Sequence, residues 1–302
     1  MAKFLVLLAL PALLLAGPAL RLQDDRPIVT KESVDHINAK GQWKASLDWA
    51  GNMTVREARR MLGALSSSTK APKASFGALH KYLQVPTSFD SRDQWPGCIG
   101  AIRNQADCGS CWAFSAVEVL ADRFCIDQGV TGLVLSPQWL VSCDPSNYGC
   151  GGGYLNLAWE YMATNGVPLE TCDPYSSGDN DESGTCPDTN CAVYTASAAT
   201  SYDNPADIQA AIMQGGPVQT AFTVYEDFYS YTSGIYTQTS DVEVGGHAVK
   251  IIGWGNQSGT NYWIVANSWG NNWGMDGFFW IAFGQCGIDT DAIAGNAGKA
   301  PN

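Results

Sequence analysis

Histidine is scarce in this chain: there are three in 302 residues, and only His247 lies beyond residue 84. Any imidazole chemistry of the larger part therefore falls to one residue. Cysteine is missing from the first 97 residues, although ten occur in all. Basic side chains are scarce beyond residue 84, five against 23 acidic ones, which excludes a phosphate-binding surface and hence nucleic acid as a partner. No apolar run beyond residue 15 approaches the roughly 20 residues that a membrane-spanning helix needs. Heptads, short repeats and low-complexity tracts are also missing.

What is present divides at one place. Residues 4–15 form an apolar run behind Lys3, with Ala16, Gly17 and Ala19 after it. That pattern predicts a secretory signal peptide over residues 1–19. The secretory pathway follows, ending in a lysosome-like or vesicular compartment or outside the cell, with no membrane attachment after cleavage. Disulfides persist in such surroundings. Residues 20–84 carry eleven Lys/Arg against six Asp/Glu, or +5, whereas residues 85–302 carry −18. Opposite charge on a leader and a body reads as partnership between them.

Local signals place the elements. In the leader, a polar helix is predicted around residues 33–37 and another over residues 54–62. Thr54 followed by Glu57 forms a capping box for the second. The rest of the leader is predicted to lie extended across the body, ending in an apolar tail at residues 76–83. In the body, apolar residues from Trp112 to Phe124 predict an amphipathic helix from Cys111 to a stop at Gly129. Ser136-Pro137 predicts an N-cap and first turn. A third helix follows Cys150-Gly-Gly-Gly-Tyr154 and stops at Gly166, and a fourth starts at Asn204-Pro205. The glycine cluster lacks the preceding strand, Lys and spacing of a phosphate loop, and reads instead as backbone left bare for another chain to lie against. Alternating strands are predicted over residues 217–225, 246–255, 261–267 and 277–283. The fold class is α+β: a helical half at about 95–170, a sheet half at about 200–285, and a cleft between them.

Cys111 begins its helix, where unpaired N–H groups and the macrodipole favour a thiolate, so its pKa is predicted to fall. Cys108-Gly-Ser-Cys111 also fits a redox pair, half a zinc site or two structural cysteines. His247 is the one imidazole available to a thiolate nucleophile. Asn267 offers an acceptor that fixes the ring, Trp269 a cover over it, and Gln105 an NH2 for an oxyanion.

At these residues the chain resembles the papain-like cysteine peptidases. Cys108 to Trp112 meets that family's Cys-Gly-Ser/Ala-Cys-Trp/Tyr signature. Gln105, Cys111, His247 and Asn267-Ser-Trp269 come in its order. Gln94-Trp-Pro-Gly-Cys98, Gly245-Gly-His-Ala248 and Cys286-Gly-Ile288 resemble the cathepsin B branch, and Trp43-Lys-Ala45 resembles that branch's leader motif. The resemblance implies a two-half fold with a β-barrel-like sheet half and an active-site cleft. It makes residues 20–84 an inhibitory prosegment and residues 85–302 the peptidase domain. It implies Cys111 as nucleophile, His247 as acid and base, Asn267 as orienter and Gln105 as oxyanion donor. Gly152 and Gly153 would hold the substrate backbone, and Asp291 would sit at the base of the pocket for the second residue before the cut. The implied disulfides are Cys98–Cys125, Cys108–Cys150, Cys143–Cys186 and Cys172–Cys191, leaving Cys286 free. Protein and peptide substrates, the chain's own prosegment and cystatin-type inhibitors are the implied partners of a monomer that uses no cofactor and no metal. Where cathepsin B carries an inserted His-His pair that confers dipeptide release, residues 176–185 are short, acidic and without histidine. Endopeptidase action is therefore expected. An inert relative that merely binds peptides is the competing reading. Asn52 and Asn256 fit the glycosylation pattern.

Overall fold

A computed structural model describes residues 24–67, 69–74 and 84–301. The predicted signal peptide and the apolar tail at residues 76–83 lie outside the described residues.

Both helices predicted in the leader are present, and a strand lies between them: α1 (Lys31–Lys40), β1 (Trp43–Ala45) and α2 (Val55–Arg60). A capping box starts α1, with Thr30 accepting from the Ser33 N–H and Ser33 reaching back. The predicted box at α2 is present: the Glu57 N–H donates to Thr54 Oγ1 at 3.3 Å, and the Thr54 N–H donates to Glu57 Oε2 at 2.7 Å. Val34, Ile37, Val55 and Ala58 are buried, so both helices are held by what they cover. The stretches 61–67 and 69–74 contain neither helix nor strand.

The body begins with β2 (Phe89–Asp90), α3 (Ser91–Gln94), α4 (Cys111–Gln128), α5 (Pro137–Cys143) and α6 (Leu155–Thr164). It continues with β3 (Val167–Pro168), β4 (Val193–Tyr194), β5 (Thr200–Tyr202), α7 (Pro205–Gly215) and β6 (Val218–Tyr225). Then come β7 (Tyr231–Tyr236), β8 (Glu243–Gln257), β9 (Thr260–Ala266), β10 (Phe278–Ala282) and β11 (Ala292–Ala294). Local chemistry explains the helix starts. Ser136 Oγ accepts from the Trp139 N–H at 3.0 Å, and Asn204 Oδ1 accepts from the Asp207 N–H at 3.0 Å.

The sheet half is an open sheet rather than a barrel. Its order is β1-β7-β10-β9-β8-β6-β11-β5, with β2 also on β8, and among the described residues nothing joins β5 to β1. The leader supplies one edge: β1 pairs antiparallel with β7, Trp43 opposite Gly234. An exposed edge is a ready template for another segment, and here the chain's own leader takes it.

The central helix α4 is buried all round from residue 111 to 125, not amphipathic as predicted. It packs between the leader side, the other helices and β8. Three of its polar residues, Glu118, Asp122 and Arg123, are therefore inside and must be matched there. Lys250 of β8 reaches Asp122 Oδ2 at 2.7 Å and Glu118 Oε2 at 3.6 Å, with the lysine side chain 1% exposed. Arg123 donates to the carbonyls of Pro217 and Gly216 at 2.9 and 3.1 Å. The Lys250 contacts tie the helix that starts at Cys111 to the strand that carries His247, and those of Arg123 tie it to the turn before β6.

Lys250→Ala leaves two buried carboxylates without their cation. It should destabilise the protein by about 3–5 kcal/mol, read as a lower urea midpoint. A midpoint unchanged from the parent would show that the clamp carries no stability.

Candidate active site

Cys111 is the first residue of α4 and has no exposed surface. The N–H groups of Trp112, Ala248 and the leader's Gly63 face its sulfur. Ala248 adjoins His247 on β8, so helix and strand bring the predicted pair to one place. Burial pushes the thiol up to about 11, outweighing those N–H groups. The depressed cysteine predicted from the helix terminus is thus overturned in the leader-covered state: the dipole is present, but the lost hydration of a thiolate is larger.

His247 is also fully buried and opposes Phe222 of β6. Burial pulls its pKa down to about 4, partly countered by Asn267. Asn267 Oδ1 lies 2.7 Å from His247 Nε2 and accepts from the Ser268 N–H at 2.8 Å. A backbone N–H can only donate, so the atom it meets is the amide oxygen. That oxygen then requires a proton on Nε2, which leaves Nδ1 as the bare base. Nδ1 has no hydrogen-bond partner among the described residues. Trp269 lies over the imidazole, with centroids 4.7 Å apart, and is 2% exposed. Burial thus favours the neutral thiol and the neutral imidazole in the covered site.

Gln105 is buried and its orientation is fixed from behind. Its Oε1 accepts from Ser268 Oγ at 2.7 Å, and its Nε2 donates to the Cys108 carbonyl at 2.8 Å and the Met61 carbonyl at 2.9 Å. Its own carbonyl accepts from Tyr175 O–H at 2.8 Å. Ser268 and Tyr175 were not singled out in the sequence. Ser268 sits inside the Asn-Ser-Trp triplet, but only the fold shows that its hydroxyl serves a residue 163 positions earlier.

The leader fills the cleft. The Gly153 N–H donates to the Gly63 carbonyl at 2.8 Å, the Leu65 N–H to the Gly153 carbonyl at 3.0 Å, and the Ala64 N–H to the Gly246 carbonyl at 3.0 Å. Ala64 pairs with Gly153 in the parallel sense. The bare walls are needed: a Cβ on Gly246 would stand 2.3 Å from the Ala64 carbonyl oxygen, and one on Gly152 2.8 Å from that of Gly63. Asp291 borders a cavity of about 220 Å³ lined also by Ala64, Leu65, Phe222, Gly246 and Cys286. The leader's Lys70 reaches Asp291 Oδ1 and the Thr290 carbonyl, both at 3.1 Å. Trp49 stacks on Trp269, with centroids 5.4 Å apart and 8° between planes.

The structure contains disulfides Cys98–Cys125, Cys108–Cys150, Cys143–Cys186 and Cys172–Cys191, with Cys111 and Cys286 free. Cys108 is thereby unavailable as a redox partner for Cys111. Cys108, Cys150 and Asp181 cluster closely enough to hold a metal, but two of the three are one disulfide and offer no thiolate. Asn52 and Asn256 are both exposed.

The family profile described as "Papain family cysteine protease" matches residues 85–296. The chain is 39% identical over 286 residues to "Cathepsin B-like CP3" of Giardia intestinalis, covering 89% of this chain and 94% of that protein. It is 37% identical over 338 residues to "Cathepsin B-like cysteine proteinase 4" of Caenorhabditis elegans, covering 97% and 98%. Among solved structures, procathepsin B S9 of Trypanosoma congolense superposes with a TM-score of 0.85 at 34% identity, covering 91% of this chain and all of that one. Procathepsin L2 of Tenebrio molitor superposes at 0.77 with 30% identity, covering 93% and 94%. Its body, cleft and leader thus match those of peptide hydrolases made as proforms, and the chain belongs to the papain family of cysteine proteases, resembling its cathepsin B-like members.

Proposed function

We propose that the chain is the precursor of a cysteine endopeptidase of the secretory pathway, held inactive by residues 20–84. The observation that carries this reading is the Met61 carbonyl on Gln105 Nε2, beside the buried Cys111. A peptide carbonyl of the leader rests on the donor that a substrate carbonyl would use. Among the described residues no helix is long and apolar enough to cross a membrane, in keeping with a protein released after signal cleavage.

Once the leader leaves, water and the helix terminus act on the sulfur, and its proton passes to His247 Nδ1. The thiolate attacks the scissile carbonyl carbon. Negative charge on the carbonyl oxygen meets Gln105 Nε2–H and the Cys111 N–H. His247 then gives its proton to the leaving amine, and an acyl-enzyme remains for water to hydrolyse. Asn267 keeps Nε2 protonated and the ring aimed throughout. Gly152 and Gly153 take the substrate backbone in place of residues 63–65.

Acid favours the opened state. His247 has a pKa below its ordinary 6.5 in the covered site, so its contribution is full above 6.5 and is lost as pH falls towards 4. Asp203, held low by Lys73 of the leader, adds in the same direction. Arg26 pairs with Glu226 and Lys70 with Asp291, again leader cation on body carboxylate. The exposed pairs of Lys70 and Lys73 contribute little each, about 0–1 kcal/mol, and weaken with salt. The buried ring of Trp43 and the partly buried ring of Trp49 are the larger anchor.

Cys111→Ala should abolish both peptide hydrolysis and covalent labelling by an epoxide inactivator. In the parent, processed enzyme should label on the order of a hundredfold faster than precursor. Labelling at another residue, or equal rates for both forms, would remove the proposal. Gly63→Val in the leader sets a Cβ 1.8 Å from the Gly109 carbonyl oxygen. Its Ki as a free inhibitor should rise by roughly tenfold to a hundredfold, and an unchanged Ki would exclude this seating. A substrate panel tests specificity: Asp291→Ala should slow Arg at the second position before the cut selectively, and C-terminal dipeptide release should be far slower than internal cleavage. Equal loss for Arg and Phe substrates would dismiss the role of Asp291, and fast dipeptide release the endopeptidase reading.

A further inference from the structure

The two donors that meet the carbonyl oxygen in the proposed reaction come from separate stretches of chain. One is the side-chain amide of Gln105, the other the backbone N–H of Cys111. Between them runs a turn in which Ala106 sits at φ 50°, a left-handed conformation that is uncommon for a residue with a Cβ. Such a turn persists only when its surroundings hold it. Inside it, the Cys108 carbonyl accepts from the Gln105 amide and from the Ser110 N–H, both at 2.8 Å.

From outside the turn, Tyr175 bonds to both of its ends. Its hydroxyl meets the Gln105 carbonyl and Ser110 Oγ, each at 2.8 Å. A carbonyl can only accept, so the phenol proton goes to Gln105, and Ser110 Oγ–H donates to Tyr175 Oη. Burial pushes the phenol above its ordinary range, which keeps that proton in place. Ser110 precedes the nucleophile, where a serine commonly caps the helix by accepting from the N–H of its second or third residue. Here it makes no side-chain cap on α4. Its hydroxyl is engaged with Tyr175, and the Trp112 N–H is left to face the sulfur. Tyr175 is itself held firmly. Its ring meets Phe114 of α4 edge-on, with centroids 4.6 Å apart and 83° between planes. Its N–H donates to Glu170 Oε1 at 3.0 Å, and the next two N–H groups donate to Gln138 Oε1 at 2.9 and 3.0 Å. The disulfide Cys172–Cys191 closes the segment that carries it.

We propose that Tyr175 is a positioning residue for peptide-bond cleavage. Its hydroxyl joins the residue that bears the amide donor to the residue that precedes the nucleophile, and so sets how the two donors converge on the carbonyl oxygen. It acts through Gln105 and Ser110 rather than on the substrate. This inference rests on the peptidase reading above.

The test compares two reactions of the same sulfur. Hydrolysis of a peptide amide places negative charge on the carbonyl oxygen. Alkylation by iodoacetamide is displacement at a saturated carbon: a C–S bond forms, iodide leaves, and no oxyanion develops. The parent, Tyr175→Phe, Ser110→Ala and the double variant are expressed as the full chain, freed of the leader by the same added protease, and assayed per alkylatable Cys111. Tyr175→Phe should lower kcat roughly tenfold, less than the loss of an oxyanion donor itself, with KM, the iodoacetamide rate and its pH profile unchanged. Ser110→Ala should lower kcat roughly threefold in the same pattern, which covers the case in which the Phe variant does not fold. The double variant should be no slower than Tyr175→Phe alone, because both remove one clasp. Equal losses in hydrolysis and alkylation, a loss confined to KM, an unchanged kcat, or losses that multiply in the double variant would overturn the proposal. Failure of the peptidase reading looks different: the parent itself would then neither hydrolyse peptides nor alkylate preferentially at Cys111.

Discussion

A charge sealed away from water is costly, and this site is arranged so that none forms while the leader lies in the cleft. Cys111 and His247 are both without exposed surface, and burial moves one up to about 11 and the other down to about 4. Both shifts favour the uncharged forms. The same two groups, wetted, are those that would exchange a proton and ionise. On the proposed reading, latency would need no broken geometry. His247 already meets Asn267, and Gln105 is already held by Ser268. What the leader removes is the solvent that an ion pair requires.

The leader achieves this cover with three kinds of contact of unequal weight. Trp43 is 1% exposed, donates to the Thr237 carbonyl at 3.0 Å, and packs on Tyr231 and Tyr236 while its strand completes a sheet edge. Trp49 stacks on Trp269, which itself covers the imidazole. Between these anchors and Lys70, glycine-lined backbone crosses the reactive groups. The basic leader and acidic body do meet as their charges imply, yet the pairs are largely at the surface. Aromatic burial decides that the leader stays, and charge adjusts how firmly it does so at a given pH and salt.

Much of the local structure was legible in the sequence. Thr54 with Glu57, Ser136 with Pro137, and Asn204 with Pro205 each carry their hydrogen-bonding logic within four residues, and helices begin at all three. Departures came where the deciding neighbour is remote. The α4 helix looked amphipathic, but Lys250 arrives from 128 positions away to make Asp122 an inside residue. The sheet half was expected to be barrel-like, but the described strands form an open path. Strand β7, with Thr, Ser and Gly, shows no alternation, and its identity as the edge that accepts the leader appears only in the pairing.

The sequence by itself determined which groups are available: a cysteine at a helix start, a single histidine in the body, an amide on each side of them, and a basic leader ahead of an acidic body. Those are matters of residue type and near spacing. Only the tertiary structure decided the state in which they sit. Hydration, unlike capping or helix register, depends on every segment packed over a group. Here those segments include Met61, Gly63 and Trp49, which no local pattern links to Cys111 or His247.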